Sequence, residues 1–225
     1  MAIDRARPLL CFVHSAYGLD SGLELIEQGG DGWRSVDIVQ VRGKDMPAAD
    51  LEKLVEVWVD AASDHPDTLI VVNDRLDVAL AAGADGVHVG RDDLPPEKVR
   101  ALTSAHFVIG VSAHDRGEIE LVQESGADYA GLGAFYASRT KPEATLLEPE
   151  RAGLREPIPG LTIPVVAIGG ITAGRVGDVL SVPAVTGIAV SDAIQGSREP
   201  AEAIHRLREA MDRAWRERPV HALQR

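Results

Sequence analysis

The 225-residue sequence predicts an α/β chain folded as a single (β/α)8 TIM barrel, on three observations. Apolar runs of strand length alternate with amphipathic segments through short connections, the order that calls for a parallel sheet with crossover helices. Eight such strand runs can be counted. The segment Ile163–Ala193, IPVVAIGGITAGRVGDVLSVPAVTGIAVSDA, then reads as strand, Gly169-Gly170 turn, helix and strand, with Ser191 just past the end. Bare N–H groups at two glycines before a helix start favour an anion, and two such strand ends side by side match the phosphate site late in an eight-stranded barrel.

The strands and helices follow in order. Leu9–His14 is the first strand and Gly22–Gln28 the first helix, closed by Gly29-Gly30. Val36–Val41 is the second strand. Pro47–Ala62 carries Leu51, Leu54, Val55, Trp58 and Val59 on one helical face. Thr68–Val72 is the third strand, and the helix after it runs through Ala82 to Gly83. The string Ala82-Gly-Ala-Asp-Gly-Val87 returns as Ser125-Gly-Ala-Asp-Tyr-Ala130. In both copies glycine ends a helix and a short buried strand begins, Gly86–Val89 and Tyr129–Leu132. Between them lie a helix, Pro95–Thr103, and a strand, Phe107–Val111. Pro149, Pro157 and Pro159 leave room only for a short sixth helix around Glu148–Leu154. Val165–Ile168 and Gly187–Val190 complete the strands, and Pro200–Trp215 is the last helix, on Ile204, Leu207 and Met211. One domain over residues 1–225 is expected, with its core at about 9–214 and a loose tail from 215 to 225.

Composition excludes several classes of function. The single cysteine, Cys11, sits in an apolar run and reads as a buried structural thiol in a reducing compartment. No run approaches a membrane span and MAIDRARP has no signal-length apolar stretch behind it, so a cytoplasmic protein without a membrane partner is expected. A net charge of −12 without a basic stripe argues against nucleic acid.

In such a barrel the chemistry hangs at the C-terminal ends of the strands. Gln40, Arg42 and Lys44 follow the second strand. Arg42 and Lys44 alternate on one side of an extended segment, as a cationic clamp on a di- or triphosphate or as solvated charges. Asn73, Asp74 and Arg75 follow the third strand; Gly90, Arg91, Asp92 and Asp93 the fourth. Asp74 and Asp93, without a histidine or thiol cluster, suit Mg²⁺ shared with phosphate oxygens; helix capping is the other reading of each. Ser112 and His114 follow the fifth strand. Ser138, Arg139, Thr140 and Lys141 follow the sixth, as a flexible cover over phosphates or an ordinary polar loop. His88, inside a strand, reads as a packed core residue. No nucleophile–base pair is apparent, so covalent catalysis has no support.

At these residues the chain resembles the thiamine phosphate synthase family. The matching strings are VQVRGKD (39–45), VNDRLDVALAAGADGVHVGRDDLP (72–95), IGVSAHD (109–115), GADYAGLG (126–133), SRTKP (138–142), VVAIGGIT (165–172) and GIAVSDAI (187–194). The resemblance implies a transferase of thiamine biosynthesis, in which a thiazole phosphate displaces pyrophosphate from a hydroxymethylpyrimidine pyrophosphate. It implies that Gln40, Arg42, Lys44, Asn73, Ser112 and Lys141 bind the pyrimidine diphosphate, with Arg42, Lys44, Ser112 and Lys141 as the candidate catalytic residues. Asp74 and Asp93 would hold the cofactor Mg²⁺. Ser138, Thr140, Gly169, Gly170, Val190 and Ser191 would bind the thiazole phosphate. The expected partners are small phosphorylated substrates, and homo-oligomerisation is left open.

The chain departs from the family where Arg91 replaces a usual glutamine, Ala134 a usual proline, and Ala137-Ser138 a usual Pro-Thr pair. Arg91 would add a phosphate contact or crowd the carboxylates. Two other readings stand beside the synthase. One is a thiazole tautomerase of the same barrel, with His114 as acid/base; the other is a non-catalytic barrel that binds thiazole phosphate.

Overall fold

The computed structural model describes residues 7–138 and 145–218. Eight parallel strands close into a barrel in chain order: β1 (Leu9–Ser15), β2 (Ile38–Arg42), β3 (Leu69–Asn73), β4 (Gly86–Val89), β5 (Val108–Ala113), β6 (Tyr129–Gly133), β7 (Val165–Ile168) and β8 (Gly187–Val190). Closure is made by β8 against β1, with Leu9 opposite Gly187 and Phe12 opposite Val190. The helices are α1 (Leu19–Gly29), α2 (Ala48–Ala62), α3 (Leu76–Ala81), α4 (Pro96–Leu102), α5 (Arg116–Glu124), α6 (Val176–Leu180), α7 (Asp192–Gln195) and α8 (Pro200–Glu217).

Because strand side chains alternate, the barrel has two apolar layers. Leu10, Phe12, Val39, Val41, Ile70, Val72, Ile109, Ala130 and Leu132 face outward under the helices. Leu9, Cys11, Val13, Ile38, Leu69, Val71, Val108, Tyr129, Val166 and Ala189 fill the inside. Cys11 is buried, and burial pushes its thiol far above the ordinary range. The Tyr129 ring crosses the interior where Gly110 leaves room; a Cβ there would lie 2.2 Å from the ring.

The bottom of the barrel is tied by one device used four times. Asp37, Asp85, Asp128 and Thr186 each stand one residue before an even-numbered strand. Their backbone N–H groups donate to Leu10, Ile70, Ile109 and Val165 carbonyls, and their side-chain oxygens accept the N–H groups of those same four residues at 2.7–2.9 Å. The repeated Gly-Ala-Asp string is two of these four corners. Arg208 of α8 adds bonds to the Pro8 and Ser35 carbonyls and to Asp37 at the same end.

Three expectations change. Residues 149–153 form turns, with Ala152 N–H donating to the Glu148 carbonyl and Leu154 N–H to the Pro149 carbonyl, and no helix forms among the described residues of the β6–β7 connection. The prolines exclude one there because they cannot donate and restrict the residues before them. Secondly, β5 runs on to Ala113, so Ser112 lies within a strand. Thirdly, α8 continues to Glu217, and Arg218 donates to the Val182, Pro183 and Val185 carbonyls. Packing therefore extends past residue 214; residues 219–225 lie outside the described part.

Candidate active site

The inward alternation of each strand carries polar residues to the C-terminal rim. Along β2 the inward positions are Ile38, Gln40 and Arg42, and Arg42 stands level with Ser15 of β1. On β3 the last inward position is Asn73, opposite His88 of β4. Ser112 stands on β5 opposite Gly131.

The strongest electrostatic feature joins the ends of β3 and β4. Asp74 takes a left-handed backbone (φ 65°) that non-glycine residues seldom adopt, and its N–H donates to the His88 carbonyl at 2.8 Å. That bend brings its carboxyl against that of Asp93. Withdrawal from water first, then the Asp93 carboxyl, push Asp74 up from 3.8 to about 6; Arg42 and then Lys44 oppose the rise. Two acids and two bases distant in sequence are thus in one field. Neither acid caps a helix. The residues before α3 and α4 make no side-chain cap, and Asp93 Oδ2 instead accepts the Gly90 N–H at 2.7 Å within its own loop. Among the described residues Arg42 and Lys44 close no ion pair, whereas Arg75 is spent on Asp77.

This donor set fits a hard divalent cation. Two carboxyl groups brought against each other can offer oxygens to one ion, and no cluster of three or more metal-ligating side chains exists among the described residues. Mg²⁺ commonly takes one or two protein carboxylates and completes its shell with phosphate and water.

On the opposite side of the rim, Gly169 and Gly170 have φ of 108° and 57°. A Cβ on Gly170 would lie 2.4 Å from the Ala137 carbonyl oxygen, and one on Gly169 2.7 Å from the Ala134 Cβ. The loop after β6 is laid on this turn: Phe135 and Tyr136 N–H groups donate to the Ile168 and Gly169 carbonyls. Arg175 clasps both, donating to the Gly170 carbonyl at 2.6 Å and stacking over the Tyr136 ring at 4.4 Å. The expected helix start is weaker than the sequence suggests. A three-residue 3-10 turn, Ala173–Arg175, intervenes before the five-residue α6, so the backbone amides rather than a helix dipole are what the turn offers. Ser138 is in the described part of this loop; Thr140 and Lys141 lie outside the described residues.

Val190 ends β8 and Ser191 leads into α7. Ser191 Oγ lies 3.4 Å from Ser15 Oγ and donates to Gln195 Oε1 at 3.3 Å, while Ser15 N–H donates to the same oxygen at 3.0 Å. Ser15 and Gln195 were not singled out from sequence. Ending the first strand at His14 hid Ser15, and Gln195 is marked only by its place four residues after Ser191.

Below the rim a chain of polar side chains crosses the barrel. Tyr129 Oη, which Gln40 influences from β2, lies 3.1 Å from His88 Nδ1, and His88 Nε2 lies 3.0 Å from Ser112 Oγ. Burial keeps Tyr129 a phenol, pushed well above its usual value, and lowers His88 to about 4, so its ring is neutral. His88 is buried, as expected, but both its nitrogens are engaged.

Arg91 neither reaches toward a phosphate nor crowds the acids: it pairs with Glu118 of α5. His114 is held by the same carboxylate, through its backbone N–H at 2.8 Å and Nδ1 at 2.9 Å. Burial would raise Glu118, but the hydrogen bonds from His114 and the charges of His114 and Arg91 hold it below the ordinary value.

A family model described as thiamine monophosphate synthase matches residues 10–194, the whole barrel from β1 to the start of α7. The chain belongs to this family. A thiamine-phosphate synthase of Chlorobium phaeovibrioides is 36% identical over 213 residues, 92% of this chain and 96% of that one. That of Moorella thermoacetica is 38% identical over 179 residues, 78% and 82% of the two chains. Among solved structures, the thiamine phosphate pyrophosphorylase of Pyrococcus furiosus superposes with a TM-score of 0.77 at 30% identity, covering 93% of this chain and 98% of that one. A 3-hexulose-6-phosphate synthase at 19% identity, TM-score 0.68, shares the fold alone.

Proposed function

We propose that this member of the thiamine monophosphate synthase family is a thiamine-phosphate synthase, joining a hydroxymethylpyrimidine pyrophosphate to a thiazole phosphate. The observation that carries the reading is the Asp74–Asp93 carboxyl pair in the field of Arg42 and Lys44. A site for one phosphate monoester alone would have no use for that concentration of charge; a departing diphosphate does.

In the reaction the bond between the pyrimidine CH₂ and the diphosphate oxygen breaks, and its electron pair leaves with the diphosphate. The thiazole nitrogen lone pair forms the new C–N bond. A neutral ring nitrogen needs no base, in keeping with the lack of a nucleophile–base pair in the sequence. Arg42, Lys44 and Lys141 neutralise the leaving group, Ser112 donates to it, and Gln40 and Asn73 orient the pyrimidine. Ser138, Thr140, the Gly169–Gly170 turn, Val190 and Ser191 hold the thiazole phosphate. Holding the two substrates in line supplies a proximity contribution that reaches about 7–11 kcal/mol in favourable systems. Asp74 and Asp93 would hold Mg²⁺, which when bound supplies charge to the diphosphate oxygens. The substrates are small, phosphorylated and cytoplasmic in this reading. Among the described residues no helix is long and apolar enough to cross a membrane.

The test is thiamine phosphate formation from the two substrates with Mg²⁺. Wild type should turn over, and Asp93→Ala should lose turnover while still binding thiazole phosphate. A wild-type protein that only isomerises the thiazole phosphate, and stops when His114 is replaced by alanine, would make it a tautomerase. One that binds thiazole phosphate with neither activity would make it a binding barrel.

A further inference from the structure

We infer that His88 is a positioning residue that turns Ser112 into a hydrogen-bond donor, through a one-way chain running Tyr129, His88, Ser112. The inference rests on the reading of Ser112 as a contact of the diphosphate. An ionised diphosphate presents acceptors only, so a serine that serves it must point its own hydrogen outward. That is possible only if Ser112 Oγ accepts from the ring nitrogen 3.0 Å behind it. His88 then carries its proton on Nε2 and leaves Nδ1 bare. Nδ1 is 3.1 Å from the Tyr129 hydroxyl, whose single hydrogen fills it. Both nitrogens of the His88 ring are then matched, Nε2 as donor and Nδ1 as acceptor. The opposite polarity would send the Ser112 hydrogen back into the ring and present a lone pair to the anion.

The geometry is built for a fixed orientation. His88 and Tyr129 are buried, their rings stand 5.4 Å apart, and Gly110 is the opening that admits the phenol. A buried, fully bonded network holds one arrangement because any break strands a polar group away from water.

The first experiment does not depend on activity. Nitrogen-15 spectra of the wild-type protein labelled at histidine should show His88 protonated on Nε2, with Nδ1 as the unprotonated acceptor. A proton on Nδ1 overturns the inference. The second is a kinetic cycle. His88→Leu should lower kcat on the order of 10–100-fold, the usual effect of removing a partner that orients a contacting group, with KM for the thiazole phosphate unchanged. His88→Gln, whose amide can still donate to Ser112, should recover most of the loss. In a Ser112→Ala background the His88→Leu change should have little further effect. An undiminished loss in that background, or equal losses for leucine and glutamine, makes His88 a packing residue and overturns the inference. If Ser112→Ala alone leaves turnover intact, the premise about Ser112 fails, and the proposed role of His88 fails with it. A loss in Ser112→Ala together with Nδ1 protonation sinks the relay and leaves the premise standing.

Discussion

The carboxyl of Asp74 is brought against that of Asp93 across the tops of β3 and β4, close enough for Asp93 to raise its pKa. The contact exists because Asp74 turns left-handed immediately after the strand, while Asp93 is drawn back by the Gly90 amide. Asp74 holds its proton well above the usual carboxyl range, and a divalent cation can take its place once that proton leaves.

That substitution predicts a pH signature. A carboxyl raised from 3.8 to about 6 favours the folded state while it holds its proton, and the contribution is lost as pH rises from about 4 through 6. A shift of that size is nominally ~3 kcal/mol, but Asp74 is only partly withdrawn from water and keeps an exposed surface at the rim, so screening reduces the expected effect to about 1 kcal/mol. Adding Mg²⁺ alone at pH 7.5 should raise the melting temperature, and the increment should fade below about pH 6 as protons compete. Asp74→Asn should abolish it. An Mg²⁺ increment that survives in Asp74→Asn would place the ion elsewhere.

Gly170→Ala should damage the thiazole phosphate site without unfolding the barrel. A left-handed alanine carries about 1–2 kcal/mol of strain, and its Cβ would press on the Ala137 carbonyl 2.4 Å away, lifting the loop that Arg175 clasps. The expected result is KM for thiazole phosphate up roughly tenfold, the equivalent of about 1.4 kcal/mol, with the diphosphate substrate little affected. Steady-state kinetics with each substrate varied in turn would show it; equal effects on both would count against two separate pockets.

The corner residues at the barrel bottom are expected to govern stability. Removing the carboxylate in Asp85→Ala leaves the Ile70 N–H without its acceptor, a loss of about 1–3 kcal/mol. Asp128→Ala should be worse, because Asp128 also pairs with Arg100 at 2.7 Å. Urea unfolding should show both at unchanged kcat. A destabilisation smaller for Asp128→Ala than for Asp85→Ala would contradict this ranking.

Arg91→Gln should change little. Arg91 lies on the surface against Glu118, and an exposed pair of this kind contributes about 0–1 kcal/mol. Turnover within about twofold of wild type is expected, since pairs of this class act weakly beyond their own contact. A tenfold fall would show that Arg91 leaves Glu118 to reach substrate.

The parallel barrel, its eight strands and the identity of the residues at each strand end were legible along the chain, because strand periodicity and glycine helix stops are local properties. The Gly-Ala-Asp repeat was legible as repetition, but not as two of four corners. Asp37 and Thr186 do the same work without the flanking Gly-Ala, and only pairing across neighbouring strands reveals it. Where a side chain points past a strand end depends on loop dihedrals and on partners far away in sequence. Composition could not say that Asp74 faces Asp93 instead of capping a helix, or that Arg91 and His114 both turn to Glu118. Nor could it say that a histidine expected only to pack would stand between a tyrosine and a serine on two other strands. Local sequence determined which polar groups reach the rim; barrel closure and loop geometry decided which of them meet.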